Sequence, residues 1–287
     1  MYAWALIEDL IAEYPDRRRL LVLHTATFSK RSNEISDFLR DEKIKIVDDY
    51  KEGEKNRVYK QVNVYGTDKE NYLSKVFRIV IKALKHSLAN WLNSLGVLLT
   101  LDSNKSLNQI KPWTIWIRGT YYKRGLSSQT VYKMKARARN SGLDFPVDTS
   151  EKNHILLHYR LGDLLTIVSK SPIKSSELLP ATILLSERVG CNTVKVFSDS
   201  PSIAYELLKS DDLEFMSDNR TLNGRETLNE LVGAKYLVGT NSKLSEWAVI
   251  LRLSNSLDNY CLIPEYMWSH LREICPFLSG ARNVTTY

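Results

Sequence analysis

The chain has 287 residues, 43% of them hydrophobic, and carries a formal net charge of +7. This length allows a sizeable core and two domains of ordinary size. No apolar run reaches the roughly 18 residues of a membrane span, and no basic segment precedes the apolar N-terminal residues, so a soluble, cytoplasmic protein is expected rather than a membrane-spanning or secreted one.

The first half of the chain has an irregular pattern of predicted elements. Helical spacing of apolar residues over 1–14 stops before Pro15, and the apolar run within 18–28 predicts a buried strand. Residues 33–42 and 71–96 also have helical spacing. This half is therefore predicted to contain both helices and strand.

A basic and aromatic segment over residues 111–139 closes this half. It holds eight basic residues and no acidic one, with tryptophans and tyrosines between the charges. Such a patch favours a polyanion, an anionic membrane surface or a partner that bears a diphosphate. The alternative is a solvated helix face with core aromatics on its other side. The sequence leaves both interpretations open for Lys133, Lys135, Arg137 and Arg139.

A domain boundary is predicted within 141–153, where glycine, proline, aspartate and serine cluster. The charge balance also changes here. Residues 1–150 carry 26 basic against 17 acidic residues, whereas residues 151–287 carry 14 against 16. We therefore expect domains at 1–148 and 149–287.

Strands and helices alternate regularly after this boundary. Repeated βα units imply a mostly parallel sheet with helices on both faces. A serine cap is predicted for the first helix, and Ser200 as the cap with Pro201 in first position for the second. The predicted strands are 154–160, 193–199, 213–216, 235–240 and 260–264, and the predicted helices are 175–190, 200–210, 224–234 and 241–255.

Polar side chains follow three of these strands at the point where each strand ends. In open α/β sheets, ligands bind beyond the carboxyl ends of the strands, beside the amino ends of the following helices. We therefore expect these side chains to converge on one crevice. They are Arg160 and Asp163 after the first strand, Ser198, Asp199 and Ser200 after the second, and Thr240, Asn241 and Ser242 after the fourth.

The chemistry of this set suits a nucleotide diphosphate. A guanidinium can clamp two phosphate oxygens, hydroxyls and helix-terminal amides can complete the cradle, and a carboxylate can accept from a base or sugar hydroxyl. Neither GxGxxG nor GxxxxGK[ST] occurs in the chain. Rossmann-type dinucleotide binding and P-loop hydrolysis are thereby disfavoured.

Three segments of this half resemble, in order, the motifs of fucosyltransferases that use GDP-fucose. The segment HYRLGD (158–163) is similar to their HxRRxD motif, and VFSDS (196–200) to a strand that ends in serine and aspartate. The segment NSKLSEW (241–247) is similar to a later N-S-x-x-S-x-W stretch. The chain most closely resembles the bacterial alpha-1,2-fucosyltransferases of glycosyltransferase family 11.

This resemblance implies a GT-B-like α/β fold of two Rossmann-like domains, with the acceptor side in 1–148 and a donor-binding parallel sheet in 149–287. It implies an inverting transfer of L-fucose from GDP-beta-L-fucose to a sugar hydroxyl, in alpha-1,2 linkage, during surface polysaccharide or O-antigen synthesis. Arg160 and Asp163 would be catalytic, with Arg160 on the donor diphosphate. The implied donor-binding residues are His158, Arg160, Asp199, Ser200, Asn241, Ser242 and Ser245.

Two features depart from the family pattern. Leu161 replaces the second arginine of HxRRxD, and Lys170, Arg220 or Arg225 are candidates to substitute for it. The family's Gly-rich GGLGNQ segment, which precedes a YA pair, is absent because YAWA directly follows Met1.

Neither a cofactor nor a metal is expected. No Asp-x-Asp pair occurs, so Arg160, helix amino ends and hydroxyls would stabilise the leaving diphosphate without a cation. His154 and His158 lie four apart in a predicted strand without a third ligand, which does not predict a metal site. The three cysteines are odd in number and widely spaced, and we expect reduced core thiols at Cys191, Cys261 and Cys275.

The expected partners are a nucleotide-sugar donor and an oligosaccharide acceptor, with no nucleic acid. The basic segment suggests an acceptor on a lipid diphosphate and peripheral contact with the inner face of an anionic membrane. His24 is a candidate general base. Two alternatives stay open: a glycosyltransferase for another nucleotide sugar, and a non-catalytic basic protein that binds RNA or membranes.

Overall fold

The chain divides into two compact units, Met1–Arg124 and Gly125–Tyr287. The predicted boundary lay later, within 141–153, a segment outside the described residues. The difference arises because helix α1 (Ser128–Asn140) packs against a helix of the second unit. The computed structural model describes residues 5, 8, 9, 12, 20–24, 44–48, 87, 91, 94, 95, 98–100, 116–119, 125–140, 154–165, 171–217, 224–254 and 259–287.

The described part of the first unit contains a parallel sheet in the order β2-β1-β4-β3. The strand predicted within 18–28 is confirmed as β1, and the predicted helix over 33–42 lies outside the described residues. Within the predicted helix 71–96, residues 87, 91 and 94 are helical. The strands are β1 (Leu20–His24), β2 (Ile44–Asp48), β3 (Leu98–Thr100) and β4 (Trp116–Gly119).

The second unit confirms the predicted alternation of strands and helices and extends it by a helix and a strand. Its elements after α1 are β5 (Ile155–Tyr159), α2 (Ser175–Val189), β6 (Thr193–Ser198), α3 (Pro201–Leu207), β7 (Glu214–Ser217), α4 (Gly224–Gly233), β8 (Tyr236–Gly239), α5 (Lys243–Leu253), β9 (Tyr260–Ile263), α6 (Glu265–Ile274) and β10 (Val284–Thr286).

All six strands of the second unit are parallel, in the order β10-β9-β8-β5-β6-β7. Within this sheet the chain enters at the central strand β5 and continues outward through β6 and β7. It then crosses to the other side of β5, where β8, β9 and β10 follow. Helices α2 and α3 share a core with β5 and β6 on one face, and the right-handed crossovers usual for parallel strands would put the later helices on the other. This α/β architecture is compatible with a Rossmann-like fold.

One face of this sheet forms an apolar core with α2 and α3. Alternate residues of β5, among them Ile155 and Leu157, are fully buried there beside Val194 of β6 and Leu178 of α2. The alternation follows from the pleat of a strand, which sends successive side chains to opposite faces. His158 consequently belongs to the other face.

Helix α5 is the centre of that other face. Every residue from Ser245 to Leu253 is buried, and the helix contacts α1, α4 and α6. A helix that is buried all round needs partners for its charged residues. Glu246 lies 2.5 Å from the Lys243 ammonium and 3.3 Å from His270 Nε2.

Arg252, the second buried charge of α5, has no solvent exposure. Its Nη1 donates to the carbonyls of Leu231 and Val232 at the end of α4, and to the carbonyl of Ala234. Its Nη2 donates to Lys235 at 3.0 Å and to Tyr260 at 3.1 Å. Carbonyls at a helix C-terminus have no partner within the helix and favour a cation. Arg252 therefore joins the end of α4 to the start of β9.

The basic residues of helix α1 do not form one solvated face with the aromatic residues buried on the other side, so that interpretation is wrong. Lys135 is only 6% exposed, whereas Tyr132 is 71% exposed. Burial, with a smaller contribution from the Arg139 charge, lowers the pKa of Lys135 to about 8. Lys135 shares the buried stripe of Val131 and Ala138 because residues three, four and seven apart lie on one side of a helix.

The local signals at helix ends are confirmed in part. Ser200 is the N-cap of α3 with Pro201 in first position, as predicted. The serine cap predicted for α2 is wrong, because Lys174 occupies that position without a side-chain hydrogen bond. Helix α2 ends at Gly190, whose φ of 65° is a conformation that glycine adopts without steric cost.

The three cysteines are buried and free, as predicted. Within the described ranges, no helix has the length and apolar character needed to cross a membrane.

Candidate functional site

The carboxyl ends of β6, β5 and β8 lie side by side, because β5 pairs with both of the others. The direction of the chain across the sheet reverses between β5 and β8. Open α/β sheets bind ligands at such switch points. The three polar strand ends expected to share a crevice are therefore on neighbouring strands at one edge of the sheet.

Asp199 joins the end of β6 to the turn that follows β5. Its Oδ1 accepts hydrogen bonds from the backbone N–H groups of Leu161 and Gly162, both at 2.9 Å. A Cβ on Gly162 would lie 2.3 Å from Asp199 Oδ2, so this approach requires glycine. The predicted contact of Asp199 with the nucleotide stays a prediction; the structure shows that Asp199 holds the turn beside Arg160.

His158 and Ser245 form a buried pair beneath this edge. His158 Nδ1 lies 2.7 Å from Ser245 Oγ, and the two residues are 8% and 0% exposed. Burial lowers the pKa of His158 from 6.5 to about 4, because it outweighs the opposing effect of Asp199, and the Arg160 charge lowers it further. His158 is therefore neutral at pH 7. The sequence predicts donor contacts for both residues, which stays a prediction; in the structure they are hydrogen-bonded to each other.

Thr240, directly after β8, joins these groups. Its Oγ1 donates to the carbonyl of His158 at 2.8 Å and accepts from the backbone N–H of Arg160 at 3.2 Å. Its own N–H donates to Ser245 Oγ at 3.3 Å. The main chain of Arg160 is thereby fixed to β8.

The two predicted catalytic residues lie at the end of β5. Arg160 is partly exposed, and its charge is close enough to influence the His158 ring. Asp163 lies in the short 3₁₀ turn Gly162–Leu165, and its side chain is outside the described part of the structure. Among the residues described, no group of three or more His, Cys, Asp or Glu side chains could hold a metal ion.

The remaining predicted residues begin helices at the same edge. Ser242 caps α5, accepting from Leu244 N–H at 3.2 Å. Ser200 caps α3 through its position, without a side-chain hydrogen bond. Asn241 Nδ2 donates to the Ser171 carbonyl at 3.0 Å, and its Oδ1 is buried without a hydrogen-bond partner in the described residues.

Three residues at this edge were missing from the predicted donor-binding set: Thr240, Gly162 and Tyr287. The Tyr287 hydroxyl donates to the Gly239 carbonyl at 2.8 Å, and burial raises the Tyr287 pKa, so the phenol stays protonated. Gly162 belongs to the HYRLGD segment and Thr240 directly precedes NSKLSEW, so a turn glycine and a threonine at a strand end were the available signals. Tyr287 has no local signal, since only the position of β10 brings it here.

We expect the buried His158 to make the protein less stable in mild acid. The pKa of His158 is lower in the folded state than the ordinary 6.5, so the unfolded state binds more protons between pH 6.5 and about 4. The His158 contribution is fully present above pH 6.5 and is lost as the pH falls towards 4. The free energy of unfolding in urea should fall by about 1 kcal/mol between pH 6 and 5 from this group.

The readout is the difference in pH slope between the wild type and His158→Asn, which cannot titrate. His154→Asn, at the residue before β5, is the comparison for the loss of a histidine side chain from this segment. Equal slopes for the wild type and His158→Asn would contradict the prediction.

Comparison with known proteins finds no protein-family model that matches the chain and no significant match among curated proteins.

Proposed function

We propose that this chain is a glycosyltransferase that transfers L-fucose from GDP-beta-L-fucose to a sugar hydroxyl, with inversion and in alpha-1,2 linkage. The observation that carries the proposal is the meeting of the three motif segments at one switch point. The segments 158–163, 196–200 and 241–247 are far apart in sequence, yet Asp199 and Ser245 bind the 158–163 segment directly. Their resemblance to fucosyltransferase motifs supplies the chemistry.

In this proposal Arg160 holds the donor diphosphate, because a guanidinium binds two phosphate oxygens at once. The amino end of α5, capped by Ser242, adds positive potential at the same edge. Asp199, His158 and Ser245 hydrogen-bond to the segment that carries Arg160, and their donor-binding role stays part of the proposal by motif position. Asp163 keeps its proposed catalytic role by motif position.

The proposed reaction is a single displacement. The acceptor hydroxyl oxygen bonds to the anomeric carbon of fucose while the bond from that carbon to the β-phosphate oxygen breaks. The bonding electron pair leaves with GDP, and a base takes the hydroxyl proton. Arg160 and helix-terminal amides stabilise the negative charge on the departing diphosphate. Metal independence is part of the proposal, because the sequence has no Asp-x-Asp pair.

The resemblance to the fucosyltransferases assigns acceptor binding to the first unit, which would complete a GT-B enzyme. His24, the last residue of β1, remains the candidate base. We propose a surface polysaccharide unit on a lipid diphosphate as acceptor, reached at the cytoplasmic face of an anionic membrane. Basic residues of the first unit and of α1 support this contact, although Lys135 is too buried to take part.

The first test is nucleotide binding. GDP or GDP-fucose at about 100 times its Kd should stabilise the protein by about 2.7 kcal/mol, a Tm increase of roughly 5 °C. Arg160→Ala should abolish most of this increase, because the diphosphate loses its clamp. Differential scanning fluorimetry with and without EDTA measures it, and the shift should survive EDTA.

Arg282→Ala is the matched control, since Arg282 is exposed and precedes β10 at the opposite edge of the sheet. It removes the same charge and should leave the GDP shift intact. Equal shifts with UDP-sugars would favour the alternative of another nucleotide sugar. If no nucleotide raised the Tm and the protein bound RNA or vesicles with a steep dependence on salt, the alternative of a non-catalytic basic binding protein would be supported instead.

A further inference from the structure

We propose that the buried hydroxyl of Thr240 is a positioning group that sets the separation of β5 and β8 at their carboxyl ends and thereby holds Arg160 for a diphosphate. This inference rests on the proposed function for its ligand. The hydrogen bonds of the Thr240 hydroxyl are observed in the second unit and do not depend on the proposed function.

The regular pairing of β5 with β8 ends at His158 and Gly239. Beyond that pair the Thr240 hydroxyl links the two strands. It donates to the carbonyl of His158 and accepts from the N–H of Arg160. A side chain thus replaces a backbone partner as the next rung of the ladder. The two main chains can separate by the width of a side chain here and still be hydrogen-bonded to each other.

This rung is fixed from a second direction. Thr240 N–H donates to Ser245 Oγ, and the same hydroxyl contacts the His158 ring at 2.7 Å. The main chain and ring of His158 are therefore both tied to Thr240, one directly and one through Ser245. A closed set of hydrogen bonds of this kind holds its members more firmly than single contacts do.

Thr240 is fully buried, whereas Arg160, the first residue beyond the rung, is partly exposed. The threonine cannot touch a ligand and acts through Arg160, which makes it a positioning residue. A bidentate clamp depends on placement, since a small displacement of the guanidinium loses one of its two hydrogen bonds. Removing the hydroxyl should consequently weaken diphosphate binding, besides any loss of stability.

The test compares Thr240→Val, which keeps the shape and removes the hydroxyl, with Thr240→Ser, which keeps the hydroxyl. We expect the Kd for GDP, measured by calorimetry, to rise about tenfold or more in Thr240→Val and to stay within about threefold of wild type in Thr240→Ser. Thr182→Val is the matched control, because Thr182 is equally buried and its hydroxyl donates only to the Leu178 carbonyl within α2. It should bind GDP as the wild type does.

Hydrogen exchange of the Arg160 amide in the ligand-free protein provides a readout that needs no nucleotide. It should be faster in Thr240→Val than in Thr182→Val. If the wild type binds no nucleotide, the proposed function fails, and the exchange rate alone still decides the role of Thr240. The inference would be overturned if Thr240→Val bound GDP with the wild-type Kd, or if its Arg160 amide exchanged at the wild-type rate. If Thr240→Val does not fold, Thr240→Ala carries the same comparison.

Discussion

Replacing Arg252 with methionine is expected to lower the free energy of unfolding by about 3 to 5 kcal/mol. The guanidinium donates to five carbonyls while it is fully buried, and methionine donates to none. A buried acceptor left without a donor costs about 1 to 3 kcal/mol, and water can relieve only some of these five. Urea unfolding followed by circular dichroism measures the loss.

Arg252→Lys should give an intermediate loss, because an ammonium keeps the charge but cannot present two nitrogens to both groups of carbonyls. Arg272→Met is the control. The Arg272 side chain is 50% exposed and lies 3.8 Å from Glu265, so we expect a change within about 0.5 kcal/mol. A wild-type unfolding midpoint for Arg252→Met would show that the carbonyls do not depend on the arginine.

Gly162→Ala is expected to weaken GDP binding by about tenfold or more and to cost about 1 to 3 kcal/mol of stability. The added Cβ would lie 2.3 Å from Oδ2 and 2.7 Å from Cγ of Asp199. Either the carboxylate or the turn must move, and both movements break the hydrogen bonds from Leu161 and Gly162. The turn that follows Arg160 then loses its attachment to β6.

Gly125→Ala is the matched control, since the nearest atom to its added Cβ, the Ile274 carbonyl oxygen, is 3.9 Å away. It should leave both GDP binding and stability close to wild type. Asp199→Ala should lower GDP affinity by itself, and Gly162→Ala in that background should add little, because the clash and the clamp are both gone. Additive effects of the two substitutions would mean that Gly162 acts independently of Asp199.

The local part of the site follows from the sequence. The predicted ends of β5, β6 and β8 lie close to the observed ones, because polar residues follow the last buried apolar residues of each strand. Parallel pairing then puts those ends on one edge. The prediction of a shared crevice needed only this pattern and the general position of ligands in such sheets.

The roles of individual side chains at that edge did not follow. The sequence did not predict that α5 covers His158 or that Ser245 binds its ring. Which helix covers which strand depends on the strand order, and no local pattern gives that order. For the same reason the bond from Tyr287 to the Gly239 carbonyl could not be predicted.

Helix α1 shows a different kind of error, because its periodicity did contain the answer. Val131, Met134, Lys135 and Ala138 have the spacing of a buried stripe, and all four are buried. The composition of the segment, with its many charges, suggested a solvated face instead. Residues 141–153, where a glycine and a proline stand among aspartates and serines, suggested a domain boundary. The compact units divide after Arg124 instead, which places α1 in the second unit.

The long sequence separations within the switch point bear on the order in which the protein folds. His158 is 82 residues from Thr240 and 87 from Ser245, whereas Asp199 is only 38 from Leu161. Contacts across long separations form slowly, and at about 5 to 20 residues per second the ribosome needs roughly 4 to 16 s to make the intervening chain. Strands β5 and β6 can therefore pair before β8 exists, which leaves the other edge of β5, apolar from Ile155 to Leu157, open to wrong pairing. We therefore expect the nascent chain to need protection at this strand until β8 has been made.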